Sequence, residues 1–120
     1  MTSKRSLKES IRYACGDVAG ECLLAKMTFE DLDEDKIENI VCQIALLQID
    51  TIDKVSTKFD KKVADFADVK TYREARKKYF KTYYASLWKE FIASLEKIVE
   101  EMNTMLTPEQ KEINKKVANN

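Results

Sequence analysis

The chain has 120 residues, 44% of them hydrophobic and 35% charged, with only two glycines and one proline. That length fits one domain, and so few chain breakers leave room for long helices, so the expected fold class is an all-α antiparallel helical bundle. Twenty-one basic residues balance twenty-one acidic ones, which excludes bulk attraction to nucleic acid or to a membrane.

The balance is uneven along the chain. Residues 1–26 carry a net +2, residues 27–53 a net −7, residues 54–81 a net +6 and the remainder −1.

Ser6 and Glu9 form a capping-box pattern, so a first helix is expected from about residue 7 to 26. Its inner stripe is Leu7, Ile11, Ala14, Cys15, Val18, Cys22 and Ala25. On the other side lie Tyr13, Gly16, Gly20, Leu23, Leu24 and Met27. A glycine inside a helix is about 0.8–1.0 kcal/mol worse than alanine, so a close approach by another helix is expected here. With two apolar faces, this helix reads as the seam between two copies of the chain.

Acidic residues of the Thr28–Asp35 connector suit the start of a second helix, expected from about 34 to 67. Its stripe is Ile37, Val41, Ile44, Gln48, Ile52, Val55, Phe59 and Phe66. Cys42, Ala45, Leu46 and Ile49 point elsewhere and face the same level as the glycines in an antiparallel hairpin. The expected dimer surface is therefore Tyr13, Gly16, Gly20, Leu23, Leu24, Met27, Cys42, Leu46 and Ile49.

A third helix is expected from about 72 to 105, opened by the capping box Thr71 and Glu74. Phe80, Tyr84, Leu87, Phe91, Leu95, Ile98, Met102 and Met105 form its heavy stripe, flanked by Trp88, Ile92, Val99 and Leu106. Thr107, Pro108 and Gln110 supply an N-cap, a first-turn proline and a capping partner for a short helix from about 108 to 117. The first helix is shorter than the next two, so residues 55–84 are expected to project as a two-helix arm. This arm is the basic pole.

Chemistry is nearly silent. Asp31, Asp33 and Asp35 imitate a calcium loop, but Lys36 stands where glycine is needed and Cys42 where a glutamate should chelate. Cys15 and Cys22 lie about 10 Å apart on one helix, beyond disulfide reach. With no histidine in the chain, the three cysteines read as buried apolar groups, not as metal ligands. Asp17 and Glu21 stand one turn apart and could do acid–base work in a pocket, but pairing with Arg12 or a partner's lysine at the rim of an interface is the favoured account. No metal, cofactor or catalytic constellation is expected.

The basic arm offers the like-charged series Lys54, Lys58 and Lys62, and Arg73, Lys77 and Lys81, with Arg76 beside Tyr72, Tyr79 and Tyr83. Such series are mildly unfavourable in a helix that serves structure alone. Lys58, Lys62, Arg73, Arg76, Lys77 and Lys81 are thus the candidate anion-binding residues for nucleic acid or another polyanion.

The leading expectation is a single-domain, non-enzymatic interaction module acting as a homodimer. The N-terminal residues lack the apolar core of a signal peptide, and no uncharged run is long enough to cross a bilayer. With its free cysteines the chain reads as cytoplasmic.

Overall fold

A computed structural model describes residues 3–118. Four α-helices follow one another: α1, Lys4–Thr28; α2, Glu34–Val55; α3, Val69–Thr104; and α4, Pro108–Ala118. The three long helices and the short last one form the expected all-helical bundle.

Chain direction is fixed by polar ties between the helices. Lys26 pairs with Glu38 at 3.6 Å, which sets α1 antiparallel to α2. The Gln43 amide donates to Glu101 at 3.2 Å, and Tyr84 at the other end donates to Val55, so α3 returns antiparallel to α2. α4 turns back along α1, with Gln110 donating to Asp31 and the Asn114 amide to the Glu21 carbonyl. The core between them comprises Leu7, Ile11, Cys15 and Cys22 of α1, Ile37, Ile40 and Ile44 of α2, and Tyr84, Leu87, Phe91, Leu95, Ile98 and Met102 of α3. The inner stripes of α1 and α3 are thus those expected. On α2 the buried line shifts to Ile40 and Thr51, leaving Val41, Gln48 and Ile52 half-buried.

The helix starts show which cap wins. Ser3, not Ser6, caps α1, its hydroxyl accepting from the Ser6 amide at 3.1 Å. Likewise Asp68, not Thr71, caps α3, accepting from the Thr71 amide at 2.7 Å. Both helices therefore begin three residues earlier than residue 7 or 72. Asp68 needs its negative charge for this role, and the two hydrogen bonds from Thr71 hold its carboxyl below the usual range. The cap of α4 is the reciprocal pair expected: the Gln110 amide donates to the Thr107 hydroxyl, and the Thr107 amide to the Gln110 side chain.

The largest correction concerns the second helix, which ends at Val55 instead of continuing to residue 67. Its last carbonyls are taken by tyrosines: Tyr83 donates to the Lys54 carbonyl and Tyr84 to the Val55 carbonyl, each at 3.0 Å. Those are the acceptors that the amides of Lys58 and Phe59 would need to continue the ladder. Residues 56–68 instead fold back along α3, with one 3-10 turn at Val63–Asp65. Phe59 and Phe66, expected on the helix stripe, pack with Tyr72 and Tyr79 at ring separations of 5.2 to 6.3 Å.

Tyr84 is buried and its acceptor Val55 is fully buried, whereas the Tyr83 bond lies at the surface. Tyr84→Phe should therefore lower stability by about 1–3 kcal/mol, because a buried carbonyl loses its donor. Tyr83→Phe should cost clearly less, since water can replace the hydroxyl. Urea unfolding of the two variants distinguishes them.

Candidate functional site: an apolar back and a basic arm

Two surface features stand out, on opposite sides of α1. The first is the outward side of the α1–α2 hairpin. Tyr13 is 76% exposed, Leu23 49%, Met27 83%, Leu46 64% and Ile49 62%. The Lys26–Glu38 pair marks the outer edge of the seam between the two helices. Stepping back from Lys26 by three and four residues gives Leu23, Ala19 and Gly16; stepping on from Glu38 gives Cys42, Ala45 and Ile49. Leu23 and Gly16 of α1 and Cys42 and Ile49 of α2 therefore flank this seam. Tyr13, Gly20, Met27 and Leu46 are not on these two lines, and Leu24 is half-buried on the flank of α1.

Gly16 is exposed and Gly20 half-exposed on this ridge. Both have ordinary helical backbone, with no positive φ. A Cβ built at either position meets nothing within 4 Å. Among the described residues, no part of the same chain makes the close approach expected at these glycines. Neither backbone conformation nor internal packing requires glycine here.

The cysteines divide by position. Cys15 and Cys22 are buried and Cys42 is exposed. Burial raises the Cys15 thiol, and burial together with the Glu21 carboxylate raises Cys22 to about 11. The Cys22 thiol donates to the Met102 sulfur at 3.1 Å. These two thiols are apolar core groups kept protonated, far from the thiolate state that nucleophilic or ligand chemistry needs. Among the described residues no group of three or more histidine, cysteine or acidic side chains is placed to hold a metal ion.

The second feature is the arm. α3 outruns its neighbours, so residues 69–82 project about 20 Å beyond the end of α2. It is not the two-helix arm expected, because α2 stops short and the extended 56–68 segment clads α3 instead. An aromatic series holds that segment down. Phe59 packs on Tyr79, Tyr79 stacks on Tyr83 at 5.9 Å, and Tyr83 meets Tyr84 at 5.8 Å. The tyrosine faces expected to receive bases are thus partly spent on the arm's own cladding.

The candidate anion-binding residues separate accordingly. Lys58 and Lys62 lie in the non-helical segment and form no helical series. Arg73, Arg76, Lys77 and Lys81 remain on α3 and border two adjoining cavities at the start of α1. Arg76 lies over the Phe80 ring at 5.1 Å, and Lys4 over the same ring at 5.4 Å. Neither cavity is lined by Asp17 or Glu21. Ser10 of α1 and Ala85 and Trp88 of α3, which line the more apolar opening, escaped sequence reasoning because no motif joins residues of different helices.

No helix among the described residues is long and apolar enough to cross a membrane. The chain matches no protein-family model, and no curated protein or solved structure is significantly similar to it.

Proposed function

We propose that this chain is a non-enzymatic assembly module that pairs with a second copy of itself through the outer side of the α1–α2 hairpin. One observation carries this reading: five large apolar side chains stand exposed on the hairpin that carries two helical glycines, which nothing among the described residues requires. Large exposed apolar side chains gathered on one side of a hairpin fit an association surface. Glycines without backbone or packing demands fit a helix approached from outside.

A second copy suits the surface better than an unrelated partner. Consider an antiparallel pairing of two α1 helices about a two-fold axis at Val18. It sets Gly16 against Gly20 and Tyr13 against Leu23, so each side supplies the complement of the other. The same operation lays Lys4, Arg5 and Lys8 of one protomer near the acidic connector, Glu30 to Asp35, of its partner. The +2 and −7 segments then meet across the interface, which favours this register over a parallel one.

Sedimentation equilibrium at micromolar concentration should return twice the chain mass. A single-chain mass across that range would overturn the proposal. Cys42 provides a second measurement. In dilute native protein one thiol should react rapidly with a disulfide reagent, and all three only after denaturation, because Cys15 and Cys22 are buried. As concentration rises and the dimer forms, Cys42 labelling should slow severalfold. An unchanged rate would remove Cys42 from the interface.

A further inference from the structure

The two cavities on the other side of α1 form one groove with unequal ends. The first, about 570 Å³, is bounded by Leu7 and Ser10 of α1 and by Lys77, Phe80, Lys81, Tyr84, Ala85 and Trp88 of α3. The second, about 670 Å³, adds Lys4, Tyr72, Arg73 and Arg76. They share Lys77, Phe80 and Tyr84, so they are continuous. Each lies within the range of about 300–1,000 Å³ typical of small-molecule sites.

Topology explains why the groove is open. α1 and α3 run parallel in this bundle and need a cover along their common furrow. α4 supplies it at one end, where Asn114 reaches the Glu21 carbonyl. At the level of Leu7 and Trp88 that cover is missing and the furrow opens as a cavity.

Charge then says what fits. The end near Trp88, Ala85 and Leu7 is apolar, whereas the other end gathers Lys4, Arg73, Arg76 and Lys77. None of these four cations, nor Lys81, has an ion-pair partner among the described residues. Lys4 and Arg76 converge on the single Phe80 ring, where two like charges gain more from a shared anion than from each other. From Val69 to Lys89, α3 carries seven basic residues against one acidic residue, Glu74.

We propose that this groove binds a single-chain anionic amphiphile. The acyl chain lies against Phe80, Tyr84 and Trp88, and the carboxylate or phosphate head sits among Lys4, Arg73, Arg76 and Lys77. The polarised lining selects this class over a polyanion such as RNA, which would engage the cations but has nothing to place in the apolar end.

Trp88 is the only tryptophan of the chain and lines the apolar end, so its fluorescence reports occupancy directly. The full chain is titrated with myristate, dodecyl phosphate and dodecyltrimethylammonium, each below the concentration at which it forms micelles. The two anions should give a saturable, one-to-one change, and the cation should bind at least tenfold more weakly. Arg73→Glu with Arg76→Glu should weaken anion binding at least tenfold. Ala85→Phe should do the same by filling the groove, with helical circular dichroism showing that the variant folds; Ser10→Phe blocks the opposite wall should it not. Equal binding of the cationic amphiphile would overturn the proposal. So would undiminished binding after both groove-filling changes, or competition by inorganic phosphate or a short RNA as effective as that of dodecyl phosphate.

Discussion

Replacing both glycines by alanine should make the single chain more stable and the dimer weaker. Each Gly→Ala change removes a helix penalty of about 0.8–1.0 kcal/mol. A new Cβ at Gly16 or Gly20 meets nothing within 4 Å and requires no change of backbone. Gly16→Ala with Gly20→Ala should therefore raise unfolding stability by about 1.6–2.0 kcal/mol, measured where the protein is monomeric. In the pairing proposed above, the same two methyl groups stand between facing helices and force them apart. Association should weaken at least tenfold, and Gly16→Leu with Gly20→Leu should abolish it. Opposite signs in the two measurements separate an interface role from a folding role. If both stability and association rise, the glycines are not at the interface.

High pH should unfold the chain in part through one thiol. Cys22 is buried against Met102, and its burial, followed by the Glu21 carboxylate, moves the thiol from 9.0 up to about 11. The folded state thus keeps a proton that the unfolded state begins to release near pH 9. The associated stability is intact below that pH and is lost progressively towards pH 11. At about 1.4 kcal/mol per pH unit for one proton, the loss across this window is of the order of 2–3 kcal/mol. Cys15 and Tyr84, also raised by burial, act in the same direction. Alkali acts on the protein in other ways as well, so the test is a difference. Denaturant unfolding of the wild type and of Cys22→Ala should diverge between pH 8 and 11, with the variant losing less. Parallel decline of the two proteins would show that the thiol contributes nothing.

Helix identity was legible in the sequence because apolar spacing is a short-range signal. The inner stripe of α1, from Leu7 to Ala25, and that of α3, from Tyr84 to Met102, could be read from periodicity alone. The Thr107–Gln110 cap was equally local. The end of α2 was not. Its terminator is neither a glycine nor a proline but the hydroxyls of Tyr83 and Tyr84, about thirty residues away, which occupy the carbonyls of Lys54 and Val55. Phe59 and Phe66 kept the helical spacing while belonging to an aromatic cluster with Tyr72 and Tyr79. For the candidate dimer surface, the exposed positions came from the same periodicity, read as the side of each helix left over. The groove beside Trp88 was invisible, because it exists only where two parallel helices lose their cover.

The long projection of α3 has a practical bearing on how the oligomer must be weighed. The molecule measures 65 × 26 × 18 Å, with a radius of gyration of 19.1 Å. A compact chain of this length would have a radius of gyration of about 14 Å. Friction in solution follows this elongation as well as mass, so a lone protomer will elute early from a sizing column and pass for a larger particle. Only methods indifferent to drag, such as light scattering or sedimentation at equilibrium, can count the chains.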